Sequence, residues 1–173
     1  MPKSTRPKRD RSGLVSHTNI LMSIKPDHMA NIASGVKNHE YRRYLLPPSI
    51  QYIWFYTSAP ISAIQYVARI SSGKVPGEVP EDGGLGNMEF NTGKKQSKYG
   101  YRILALWELA QSITLCQAVS KGYLKGPPQK YTYVLKQMCR ELEVERTEKR
   151  VIVEDEVNTK TANFKQIFQS SIA

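Results

Sequence analysis

The sequence predicts an α+β fold, and three observations carry that reading. Short runs rich in β-branched and aromatic residues recur along the chain, a few short segments keep helical spacing, and glycine or proline punctuates the joins. "ILMSI", from Ile20, reads as the first strand. Lys25-Pro26-Asp27 then opens a helix, because proline lacks the amide hydrogen that a first turn leaves unused and Asp27 suits the positive end of the dipole. Met29, Ile32 and Ala33 form its apolar stripe, and Gly35 ends it, since glycine enters the left-handed region without strain. The next stretch, "SGVKNHEYRRY", therefore begins at a helix C-terminus and runs into a second strand.

Residues 49–58, "SIQYIWFYTS", carry the plainest strand pattern in the chain, broken by Ser58-Ala59-Pro60. Residues 61–70 form another strand. Residues 71–100 hold most of the glycines, and a connection this long inside a domain is functional or disordered. "YRILALWEL" reads as a strand with Ile103, Ala105, Trp107 and Leu109 on one face, and "SITLCQAVSKGYL" as a short helix. Beyond Gly126-Pro127-Pro128, the spacing of Tyr131, Val134, Leu135, Met138, Cys139 and Leu142 predicts an amphipathic helix. Phe164, Ile167, Phe168 and Ile172 supply the apolar side of a short terminal helix that docks on the domain or on a partner.

A chain of 173 residues with 40% hydrophobic content can build one core and leave polar ends. We divide it into a disordered basic tail (1–18), a folded domain (19–145) and a polar C-terminal extension (146–173). The formal charge is +10, and the first eleven residues hold Lys3, Arg6, Lys8, Arg9 and Arg11 against Asp10. The remainder is basic too, which favours a polyanionic partner, nucleic acid first. The tail reads as a nuclear address, a phosphate-binding arm or an inert end, and either tail is a place for a protein partner. No apolar run approaches the length of a membrane span, and no apolar segment follows the basic N-terminus. Cys116 and Cys139 stand apart without metal-ligand neighbours and read as reduced, partly buried thiols, so an intracellular protein, nuclear or cytoplasmic, is expected.

Several chemistries lack their motif. His39-Glu40 has no second histidine at zincin spacing, no GxSxG is present, "GGLGN" sits outside a strand-turn-helix unit, and "TGKKQS" lacks the phosphate-loop spacing. Neither a metal nor a cofactor is expected. What remains is Gly35, Lys37, Glu40 and Arg42, a GxKxxExR pattern. Along a strand, Glu40 and Arg42 point to one face and Tyr41 and Arg43 to the other. They form either a structural ion pair or a pocket in which Lys37 and Arg42 hold a phosphate or a base edge while Glu40 accepts from an exocyclic amine. Trp54 and Tyr56 are either packing or a platform for a splayed base. In the long loop, Asn87, Glu89 and Asn91 offer hydrogen-bonding groups at spacing two. Lys94, Lys95, Lys98 and Arg102, interleaved with Tyr99 and Tyr101, make a basic-aromatic patch suited to single strands, or else a solvated loop.

The GxKxxExR motif, preceded by "LMSIKPDHMANIAS" and followed by "TSAPISAIQYVARI", resembles the ASCH family of PUA-like domains. The resemblance runs from about residue 20 to 70, weakens through "KYGYRILALWEL" and covers neither tail. It implies a small mixed β-barrel (PUA-like) with surrounding short helices. Related PUA, EVE and YTH barrels bind RNA or modified bases in a cleft beside the barrel. Here that cleft would lie between the segment Lys37 to Arg43, the strand end at Thr57-Ser58 and the glycine-rich loop, with Lys25 at its edge. Some bacterial ASCH proteins resemble amidohydrolases that remove the acetyl group of N4-acetylcytidine with a lysine, a threonine three residues on and a distant glutamate. Lys37 matches that lysine, but Glu40 stands where the threonine would be, so as an enzyme the chain would rest on Lys37 and on Glu40 as a base for water. A third reading is a protein-interaction module of a transcription or RNA-processing complex.

Overall fold

The computed structural model describes residues 12–143 and 149–153. A 3-10 turn (Ser12–Leu14) leads into β1 (Val15–Ile24), then α1 (Pro26–Ala33), β2 (His39–Arg42), β3 (Tyr52–Thr57) and β4 (Ala63–Ile70). The long connection follows, carrying α2 (Asn87–Asn91), and then β5 (Tyr99–Thr114), α3 (Leu115–Ser120), β6 (Thr132–Leu135), α4 (Lys136–Glu143) and β7 (Lys149–Val153). The fold is α+β: a mixed sheet with a few short helices.

Six strands follow one path, β2-β5-β4-β3-β1-β6, and β7 pairs with β5. The β1–β3 pair is parallel, with Ile20 beside Ile53 and Ile24 beside Thr57, and the other pairs are antiparallel. A parallel pair needs a crossover, and α1 with β2 supplies it. Strand β5 is long enough to serve several partners: Tyr99 to Arg102 pair with β2, and the rest with β4 and β7. No ladder joins β2 to β6 among the described residues, so the backbone pairing is that of an open sheet, not the closed barrel expected from the resemblance.

Side chains from both faces of the sheet are buried. Ile20, Met22, Ile53 and Phe55 pack in one cluster with Met29, Ile32, Ile103 and Leu106. Leu21, Trp54 and Tyr56 pack in another with Ile64, Val67, Leu109 and Met138. Burial on both faces explains why β1 and β3 read as continuous apolar runs with no alternation.

Four expectations need correction. Strand β1 starts at Val15, inside the segment read as a disordered tail, because Val15 meets Leu135 of β6, a partner more than a hundred residues away. Residues 1–11, the basic part of that tail, lie outside the described residues. The helix expected across Tyr131 to Leu142 begins only at Lys136, since Thr132 to Leu135 pair with β1. The open edge of β1 offered hydrogen bonds, and Thr132, Tyr133 and Val134 favour strand. Met138 and Leu142 keep the helical spacing and are buried. Similarly, β5 absorbs Ser112 to Thr114 before α3 starts, with Thr114 as N-cap in a capping box with Gln117. Finally, β7 extends the sheet past residue 146 by pairing with the free edge of β5, so that boundary falls too early. The terminal helix suggested by Phe164 to Ile172 lies outside the described residues.

Of the two thiols, Cys116 is exposed and Cys139 half-buried, so only the latter fits the expected partial burial. Among the described residues no helix is long and apolar enough to cross a membrane.

Candidate nucleic-acid interface

The motif is delivered by a helix end and a strand start. The Ser34 amide closes α1 on the Ala30 carbonyl, Gly35 turns the chain at φ +79°, and the Lys37 amide returns to the Asn31 carbonyl at 2.9 Å. That turn carries Lys37 against the first residues of β2. Its ammonium donates to Glu40 Oε2 at 2.6 Å, and Arg42 Nη2 reaches Glu40 Oε1 at 2.8 Å. Arg42 Nη2 also donates to the Ser23 carbonyl at 3.0 Å, which ties β2 to β1. Glu40 and Arg42 share a strand face, as period two requires. Lys37 and Glu40 are buried and Arg42 is mostly so. One carboxylate is thus clamped between two cations out of water, an arrangement held only if every partner stays. Arg42 Nε and, at the end of β3, Thr57 Oγ1 are buried with no hydrogen-bond partner among the described residues.

Further positive charge gathers at the rim. His28, on α1, has its pKa lowered by partial burial and then by Lys37, Lys25 and Lys95, with Glu40 pulling the other way. It is therefore a neutral imidazole at neutral pH, set among lysines. Lys95 lies 5.1 Å from the centre of the Tyr41 ring and Lys37 5.9 Å from it, so both cations sit within reach of one aromatic ring. Lys25, Lys37, Arg42 and Lys95 outweigh the Glu40 carboxylate between them, which makes this region attractive to an anion.

A second polar network fixes the long loop to the other side of β2. The buried Tyr41 hydroxyl donates to Asn87 Oδ1 at 2.5 Å. Asn87 Nδ2 lies within 3.1 Å of Asn38 Oδ1, the Pro80 carbonyl and Asp82 Oδ1. Asn38 Nδ2 donates to the same Asp82 oxygen at 2.9 Å, and Arg102 Nη1 meets Asp82 Oδ2 at 3.2 Å. Partial burial works against the Asp82 carboxylate, but hydrogen bonds from Asn38 and the Gly84 amide, with the Arg102 charge, outweigh it and hold its pKa below the usual value. His39 joins through Nδ1, 2.7 Å from Asn38 Oδ1; burial, then Arg102, push its pKa down to about 4. Burial raises the Tyr41 pKa, helped by Asp82, Glu89 and Glu40, so the phenol keeps its proton and its role as donor. Gly84 is required by close approach, since a Cβ there would stand 2.2 Å from Asn38 Oδ1. Of the two readings of the loop, functional or disordered, the second fails: it is ordered around Tyr41, Val79 and Phe90, which pack together.

Not every residue singled out from the sequence meets in this place. Lys37, Glu40 and Arg42 converge, with Lys25 and Lys95 at the rim. Arg43 is exposed and donates to Gln96; Lys94, Lys98 and Glu89 are exposed on the loop. Tyr99 is half-buried against the core. Ser58 is half-buried, its amide bonded to the Ile24 carbonyl at 2.9 Å, and Thr57 is wholly buried beside it. Trp54 and Tyr56 are in the core, and Trp54 Nε1 donates to Asn19 Oδ1 at 3.0 Å, so neither ring has a face for a base. Asn87 and Asn91 serve the scaffold: Asn91 Nδ2 donates to the Val79 carbonyl at 2.7 Å and its Oδ1 accepts from the Gly77 amide at 3.0 Å. His28 was missed; its place in the first turn of α1, three residues after the N-cap Lys25, was the available signal.

No family model matches the chain, and no curated protein matches it. Solved structures do. The ASCH protein from Zymomonas mobilis aligns with a TM-score of 0.55 at 22% identity, covering 75% of this chain and 96% of that one. A serine-to-alanine variant of it gives 0.55 at 22%, over 76% and 98% of the two chains, and a tyrosine-to-phenylalanine variant 0.55 at 20%, over 73% and 97%. The mixed sheet, the short helices and these alignments agree: the fold of this chain is that of the ASCH domain.

Proposed function

We propose that this chain is a nucleic-acid-binding module, RNA ahead of DNA, that holds a base edge or a phosphate at Lys37, Glu40 and Arg42. The observation that carries the reading is the clamp itself. One buried and one mostly buried cation on one carboxylate, beside Lys25 and Lys95, combine fixed geometry with surplus positive charge. Binding is preferred over amide hydrolysis because Lys37 meets Glu40 as an ammonium, which keeps further N–H donors for an anion but offers no free amine, and both carboxylate oxygens already face cations. In that state the amine has no free lone pair for attack, and the carboxylate is poorly placed to take a proton from water.

We read the open sheet as a PUA-like barrel whose gap between β2 and β6 is spanned by side chains. Supporting this, the Tyr44 hydroxyl donates to the Lys130 carbonyl at 3.0 Å, and the Tyr44 and Tyr131 rings lie 5.8 Å apart. Residues 1–11 act as an additional phosphate-contacting arm in this reading, and the protein works inside the cell, in nucleus or cytoplasm. The test is a titration of labelled single-stranded RNA and DNA at two salt concentrations, beside incubation with N4-acetylcytidine. Salt-sensitive binding without release of cytidine supports the proposal. Release of cytidine that depends on Lys37 and Glu40 would replace it with the hydrolase, and neither binding nor turnover would leave a protein-interaction module.

A further inference from the structure

Beside the clamp, a groove runs between the start of β1 and the segment from α3 to β6. Tyr131, Tyr133 and His17 follow one another along it, packed edge to face: the tyrosine ring centres are 6.0 Å apart at 86°, and those of Tyr133 and His17 are 6.4 Å apart at 62°. Tyr44 continues the series towards the clamp, 5.8 Å from Tyr131 and two residues beyond Arg42. Tyr131 and Tyr133 pack partly on the core, which fixes their orientation while leaving them at the groove. The Lys130 ammonium stands 4.3 Å from the Tyr44 ring centre and 5.6 Å from that of Tyr131, and the exposed Lys125 lies on the same wall. No carboxylate lines the groove among the described residues.

From this we infer that the groove takes a single-stranded stretch of nucleic acid flanking the nucleotide held at the clamp, its bases against Tyr131, Tyr133 and His17 and its backbone at Lys130 and Lys125. The inference rests on the proposed nucleic-acid function and narrows its substrate class from nucleic acid in general to single strands. Aromatic rings set edge to face and interleaved with cations offer the ring faces not turned to a neighbour, which suits unpaired bases and not a duplex, whose faces are already stacked. The absence of carboxylates along the lining favours a polyanion over an acidic or neutral peptide.

The experiment uses the full chain and a labelled oligouridylate strand of about 12 nucleotides, within the span of single-strand sites, beside a duplex of equal length. The variants are Tyr131→Leu, Tyr133→Leu, Lys130→Gln and, as the clamp control, Arg42→Lys, each checked by a melting curve. We expect the strand to bind ahead of the duplex and each tyrosine variant to lose about tenfold in affinity, the order of one stacked base. Lys130→Gln should weaken binding and flatten its salt dependence. Lys130 is exposed, so Lys130→Gln should leave the melting curve close to the parent's. Affinities like the parent's in Tyr131→Leu, Tyr133→Leu and Lys130→Gln, or a duplex bound as well as the strand, would overturn the inference and leave the groove to a protein segment. Loss in Arg42→Lys alone would keep the clamp and remove the groove; loss in the groove variants alone would keep the groove and remove the clamp.

Discussion

The Lys37 ammonium and the Glu40 carboxylate meet at 2.6 Å with both side chains almost wholly out of water. Such a pair contributes little relative to well-packed apolar residues, but breaking it leaves a buried charge alone. Glu40 also neutralises Arg42, so its loss strands two cations where the loss of Lys37 strands none. Glu40→Gln should therefore destabilise the fold by ~3–5 kcal/mol, and Lys37→Met by clearly less. Urea denaturation of the two variants checks the order, and equal costs would show that Arg42 is neutralised by something other than Glu40.

Asn87 should matter to the loop more than to binding chemistry. Asn87→Ala removes the acceptor for the buried Tyr41 hydroxyl and the donor to Asp82 together. Leaving such groups unpaired costs ~1–3 kcal/mol. Amide hydrogen exchange should show lost protection around Pro80 to Phe90, with β1 and β3 unaffected. Uniform loss across the sheet would mean that the loop is integral to the core.

The His39 imidazole links stability to pH. Its folded pKa of about 4 lies below the ordinary 6.5, so the unfolded chain binds the extra proton between those values. Stability is fully present above pH 6.5 and falls as pH drops towards 4, by about 2 kcal/mol at pH 5 for a shift of this size. Asp82, whose pKa is also lowered, adds to the loss at lower pH still. Melting curves at pH 7 and pH 5 should show this fall in the parent and a smaller one in His39→Gln, with His28 supplying part of the remainder.

Much of the fold was legible where local pattern and tertiary demand agree. Pro26, Asp27 and Gly35 bracket α1 because each satisfies a local backbone need, and the run from Tyr52 to Thr57 is apolar because both its faces are covered. Thr132 to Leu135 were misread because an apolar stripe fits either a helix or a strand that borrows an open edge, and only β1, far away in sequence, decides between them. The clamp was visible as a spacing, Lys37-Glu40-Arg42, since period two along β2 does the rest. Trp54 was not settled by sequence, because an indole that stacks a base and one that donates to Asn19 in a core look alike until the opposite face of the sheet is known. Asn87 and Asn91 were legible as hydrogen-bonding groups, but their partners at Tyr41, Asp82, Val79 and Gly77 are brought close by the fold of the loop.

The most direct test of the central claim is the affinity of a short labelled single strand for Arg42→Lys, measured beside its melting curve. Lysine keeps the positive charge near Glu40 but cannot hold both the carboxylate and a base or phosphate edge with a planar fork. If the clamp is the binding site, affinity falls by ~1–3 kcal/mol in protein that is still folded. Affinity equal to the parent's, with only the melting temperature lowered, would contradict the account and return Lys37, Glu40 and Arg42 to the scaffold.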